Sequence, residues 1–267
     1  MKMKSRAGAI MGAVGWTLLF LLSQMAASGI GAAILSMTAA GSGGAVSPEL
    51  MMAQVSKNLS ALSLAGSALF LLIVLFSRKG RDLWCGWRVS PGKAALPLAA
   101  IVLFASAWNV ALASLPLDGN LLGNTAAMGE AAAAQPLLYL LAVYVAAPVA
   151  EEVAFRGIVQ GGLRRVMSAP AAIACGALLF GLAHVMTGSL LTILFACLGG
   201  AVFGLTYEKT GSLLLAILVH GVGNLCDFAS AFAGALPPTV QGAWIILGLA
   251  GAVWAVVRLT RCPGGTR

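Results

Sequence analysis

Acidic side chains are scarce in this chain: eight of its 267 residues are Asp or Glu, and charged residues of both signs amount to 9%. A soluble domain carries about a quarter of its residues as charge, so a water-facing surface for a chain of this length is excluded. Hydrophobic residues make up 60% and the mean hydropathy is +0.96, the composition of a polytopic membrane protein. Cysteine is limited to Cys85, Cys175, Cys197, Cys226 and Cys262. An odd number without CxxC spacing argues against a disulfide framework and against a thiolate metal site, and these residues read as small apolar side chains. No HExxH occurs, which removes the two-histidine helix of zinc peptidases. Internal repeats, long low-complexity segments and a soluble domain are also missing. The net charge of +8 is spread singly or in small groups between apolar runs, so nucleic acid is not a partner.

What is present is a series of apolar runs. The first extends from Ile10 to about Leu35 behind Lys2, Lys4 and Arg6; it is long for a cleaved signal and reads as a retained helix. Others lie at about 59–76, 94–115, 136–160, 171–186, 190–206, 213–232 and 243–257, making eight segments of spanning or nearly spanning length. Charge tests that division, because loops should alternate between Lys/Arg-rich and Lys/Arg-poor. Fifteen of the 16 basic residues fall on one side, and only Lys57 on the other, where Glu49, Asp118 and Glu130 lie. The expectation is an all-α transmembrane bundle of about eight helices in the cell membrane, with both termini cytoplasmic. Residues 1–135 supply three segments and 136–267 the rest of a single membrane unit. The 77–93 loop interleaves Trp84 and Trp87 with basic residues, which suits an anionic headgroup boundary. The 41–47 stretch reads as an external loop, and Gly157/Gly161 and Gly200/Gly204 as sites of close helix approach.

Ionisable groups within these runs are costly, about 2.5–3.5 kcal/mol each on insertion scales, and mark functional sites. Glu151, Glu152 and Arg156 interrupt the fourth segment. Arg156 is four residues beyond Glu152, the favourable order for an ion pair within one helix, which leaves Glu151 to face other helices as a candidate general base or acid. The two histidines, His184 and His220, both lie in apolar runs. His220 shares a helical face with Asn224, and His184 with Phe180; Asp227 continues the His220 face and is a candidate to orient its imidazole. By rise per residue, Glu151 lies about 22 Å below the outer boundary, in the inner half and level with His220, whereas His184 falls at a different depth. Glu151, Glu152, His184 and His220 are also potential ligands for a divalent metal such as zinc, though a metal-free, glutamate-driven reaction is preferred.

Glu151-Glu152-Val153-Ala154-Phe155-Arg156 resembles an EExxxR motif, Phe180 to His184 an FxxxH motif, and His220 to Asn224 an HxxxN motif. In this order they resemble the signatures of the CPBP family of intramembrane proteases, which includes the CAAX prenyl endopeptidases; the resemblance covers roughly residues 136–228. It implies a cavity open to the cytosolic side and hydrolysis of a peptide bond in a membrane-associated substrate. Glu151 with His184 would activate water, His220 and Asn224 would stabilise the oxyanion, and Glu152, Arg156 and Phe180 would support them. A non-enzymatic peptide-binding protein on the same fold, serving immunity or secretion, is the alternative reading, and a proton-coupled transporter a further one.

Overall fold

The computed structural model describes residues 6–41, 47–77, 91–114 and 119–263. The described residues form helices without strands. They are α1 (Arg6–Gly41), α2 (Pro48–Lys57), α3 (Leu59–Phe76), α4 (Ala95–Ser114), α5 (Gly119–Ala134), α6 (Pro136–Leu163), α7 (Ala169–Leu182), α8 (Leu190–Thr210), α9 (Leu213–Leu225), α10 (Phe228–Ala233) and α11 (Pro238–Arg261). Seven helical segments, α1, α3, α4, α6, α7 continued through the turn to Thr187, α8 and α11, are long and apolar enough to cross a membrane. The Trp84/Trp87 stretch and the Gly/Ser linker at 42–46 lie outside the described residues.

The expected seventh span, 213–232, is shorter than its apolar pattern. Helix α9 has 13 residues and stops at a turn through Cys226 and Asp227, after which α10 begins. Most of α9 packs against protein: Leu213, Leu215, Ala216, Ile217, Val219, His220, Gly221 and Gly223 are all buried, while Leu218 and Leu225 are exposed. The segments expected as plain loops around Glu49 and Glu130 are instead the helices α2 and α5. The Ser47 side chain accepts from the Leu50 amide to start α2.

Two Gly-Ser dipeptides fold α7, α8 and α9 back on one another. Gly188 (φ 67°) and Gly211 (φ 68°) adopt the left-handed conformation that a Cβ disfavours. The serine that follows each of them caps the next helix, Ser189 accepting from the Thr192 amide and Ser212 from that of Leu215.

Helices α6 and α8 run parallel, as three rungs of equal spacing show. Arg156 Nη2 donates to the Gly200 carbonyl at 3.0 Å, Gln160 Nε2 to that of Gly204 at 3.0 Å, and Arg164 Nε to the Glu208 carboxylate at 3.1 Å. Both chains advance by one turn per rung. The glycines of α8 are required for this approach: a Cβ at Gly200 would stand 3.0 Å from the Phe180 ring, and one at Gly204 2.8 Å from Gln160 Oε1. Gly161 differs, since a Cβ there would meet nothing closer than 3.6 Å, the carbonyl oxygen of Arg156 in the same helix. Small-residue spacing alone did not separate the two cases, because it carries no information about which helix face has a neighbour.

The core is continuous from the first helix to the motifs. Phe20 meets Phe70 and Phe155 edge-on, Phe155 meets Phe180, and Phe180 meets Phe203, with centroids 5.1–6.2 Å apart. Edge-to-face pairs of this kind each add about 0.5–1.5 kcal/mol beyond burial, so the N-terminal helices buttress the motif helices directly.

Candidate active site

Pro148 determines the local shape of α6. It has no amide hydrogen, and the turn before it, Ala142–Ala146, is a π-turn in which the Ala147 amide bonds back to the Ala142 carbonyl. The carbonyl of Val143 thereby loses its usual partner: the amide one turn on is committed elsewhere, and the next residue is proline. Asn224 Nδ2 donates to that carbonyl at 2.9 Å from across the bundle. The carbonyl of Tyr144, whose partner would have been the amide of Pro148, points at Gly221, where a Cβ would come within 2.7 Å. A second π segment, Val153–Gln160, follows the two glutamates. Such turns recur at functional sites.

Glu152 is fully buried and Arg156 is 1% exposed. Arg156 Nε lies 3.1 Å from Glu152 Oε2, so the expected intrahelical pair is formed. The contact is an ion pair off the hydrogen-bond axis, and Glu152 Oε2 and Arg156 Nη1 have no hydrogen-bond partner. The guanidinium also lies over the Phe180 and Phe203 rings, 4.6 and 5.2 Å from their centroids. Glu152 also binds across the bundle, its Oε1 accepting from His220 Nδ1 at 2.9 Å. Asp227 does not orient His220. It accepts from Asn109 Nδ2 at 3.3 Å, because the turn at Cys226 takes it off the helical face that carries His220.

With Nδ1 donating to a carboxylate, His220 presents Nε2 outward, and Glu151 Oε2 lies 3.7 Å from it. The imidazole is stacked on Phe203, 4.4 Å between centroids and 17° between planes, and Phe180 meets it edge-on. Phe180 also touches His184 edge-on at 5.0 Å, and its carbonyl accepts from His184 Nδ1 at 2.9 Å. A carbonyl only accepts, so Nδ1 carries the proton and Nε2 of His184 is its free nitrogen. The structure records no bond between Glu151 and His184; Glu151 is nearer to His220.

One cavity of about 70 Å³ collects the histidines. Its lining includes Phe180, His184, Thr192, Phe203, His220 and Asn224, and it has room for several waters. Phe180 is in contact with both imidazoles, so the two histidines meet across one ring. At the deep end Phe203 and His220 are buried; His184, Thr192 and Asn224 at the other end are partly exposed. That open end adjoins the Gly188-Ser189 turn. The turn lies at the end of the bundle away from Arg164, Lys209 and Arg258.

Residues 133–226, which include all three motifs, match a family of known proteins. That family is Rce1-like, described as type II CAAX prenyl endopeptidase. No curated protein and no solved structure gives a significant match to the chain. At family level the Rce1-like match supports a membrane CAAX-type protease. The matched segment begins in the last two residues of α5 and ends at Cys226, so α1–α4 and α11 fall outside it.

Several residues of this site carry no motif. Pro148, one turn before the glutamates, and Gln160, one turn after Arg156, were visible as anomalies within an apolar run. Phe203 and Phe195, which line the cavity with the histidines, had no signal, because an aromatic residue in a membrane helix is ordinary. For a metal, the donor set fits poorly. Among the described residues no group of three or more His, Cys, Asp or Glu is arranged to hold an ion. Glu152 is committed to Arg156 and His220, and His184 Nδ1 to a carbonyl.

Proposed function

We propose that this protein is an intramembrane endopeptidase that hydrolyses a peptide bond of a membrane-associated protein or peptide without a metal. The observation that carries this reading is the convergence of Glu151 on Nε2 of a His220 whose other nitrogen is locked by buried Glu152, beside a cavity shared with His184 and Asn224.

Glu151 is the general base. It takes a proton from water, with the free nitrogen of His184 in the adjoining cavity as second acceptor, and the hydroxide adds to the scissile carbonyl carbon. Asn224 uses one amide hydrogen on Val143 and keeps the other for the developing oxyanion; His220 donates to it from Nε2 when protonated there. The proton collected by Glu151 then passes to the leaving amine as the C–N bond breaks. Arg156 and Glu152 act through His220 and position it.

The test is cleavage of a membrane-tethered peptide by purified protein in vesicles. Glu151→Gln should abolish cleavage at wild-type abundance, and full activity should survive rigorous chelation. Retained cleavage by Glu151→Gln removes Glu151 from its role. A cellular phenotype that persists in that variant turns the reading toward a peptide-binding protein.

A further inference from the structure

The bundle has two chemically distinct ends. At one, Lys93, Lys209, Leu259 and Cys262 surround a cavity of about 210 Å³, and Lys209 Nζ donates to the carbonyls of Thr260 and Cys262. Arg164 pairs with Glu208 at the same end, and the start of α1 packs there, Ala13 against Val159, Leu163 and Ala172. At the other end Gln135 Nε2 donates to Asn58 Oδ1, and Asn124 of α5 donates to the Thr187 carbonyl in the turn between α7 and α8. Lys57 is the one lysine or arginine at that end among the described residues, with Glu49, Glu130 and Asp227.

The cavity opens at the second end. Thr192 lies three residues beyond Ser189, about 5 Å along α8, whereas Phe203 is about 21 Å along it; the former is partly exposed and the latter buried. His184 sits at the C-terminal end of α7 and Asn224 at that of α9, both reaching the same opening. Lys/Arg-rich ends of membrane bundles face the cytoplasm. We propose that the cavity is entered from the membrane face opposite the cytoplasm. Its substrate class is then a peptide segment beside a membrane anchor on the translocated side. A prenylated cysteine at the cytoplasmic leaflet would lie at the wrong end. This rests on the endopeptidase reading for the reaction, but the direction of access stands on geometry and charge.

Two measurements separate the parts. The full chain is placed in the inner membrane of a bacterial host and treated with a membrane-impermeant maleimide, with labelled peptides mapped by mass. Met186→Cys, in the exposed turn at the opening, should label in intact spheroplasts, and native Cys262 at the basic end only after lysis. The reverse pattern overturns the proposal. In the second, one peptide is tethered beside a single-span anchor on either the translocated or the cytoplasmic side. The translocated reporter should be cut at least tenfold faster, and neither by Glu151→Gln. Faster cutting of the cytoplasmic reporter overturns the proposal; the expected labelling with neither reporter cut upholds the direction of access and removes the peptidase reading.

Discussion

Glu152→Gln tests the buried Glu152–Arg156 pair most directly. The substitution keeps size and shape but removes the negative charge 3.1 Å from Arg156 Nε, leaving a guanidinium that is 1% exposed without its counter-charge. Breaking a buried pair by removing one partner costs about 3–5 kcal/mol, a fall of roughly 10²–10⁴ in the folded-to-unfolded ratio. The Gly200 carbonyl and the two rings still hold the guanidinium, which favours the lower end of that range. Adding Arg156→Met should restore most of the loss, because an apolar replacement of a buried pair is often neutral or stabilising. Glu151→Gln, at a partly exposed carboxylate with only a 3.7 Å contact, should change stability by less than about 1 kcal/mol. Equilibrium unfolding of the purified protein in mixed micelles, followed by tryptophan fluorescence, measures all four proteins. A Glu152→Gln variant as stable as wild type, or a double variant no better than the single, would refute the assignment of Glu152 as the buried counter-charge.

Pro148→Ala restores an amide hydrogen next to the orphaned carbonyls of α6, so it should free Asn224 and lower kcat of peptide cleavage about tenfold or more while the unfolding midpoint stays the same or rises. Gly221→Ala places a Cβ 2.7 Å from a backbone oxygen of Tyr144; it should force α9 outward and cost about 1–3 kcal/mol, read by the same unfolding assay. Phe203→Leu removes the ring stacked on His220 and should lower kcat with little change in KM, since the lost contact positions a residue rather than binding substrate.

The amino-acid sequence by itself determined the class of fold, the separation of basic from acidic ends and the contacts of Arg156 with Glu152 and of Phe180 with His184 within single helices. Composition leaves no alternative to a membrane bundle, and helical periodicity is enough to place Arg156 on Glu152 and Phe180 on His184. Tertiary structure decided the contacts between helices. Glu152 rather than Asp227 holds His220, and Asn224 answers a carbonyl that Pro148 has orphaned, across 68 and 81 residues of chain. Gly200 and Gly204 face a neighbour where Gly161 does not. A period of 3.6 residues gives each side chain an angle about its own axis, whereas the identity of the helix it faces, and the end at which the cavity opens, depend on how the helices pack around Phe155, Phe180 and Phe203.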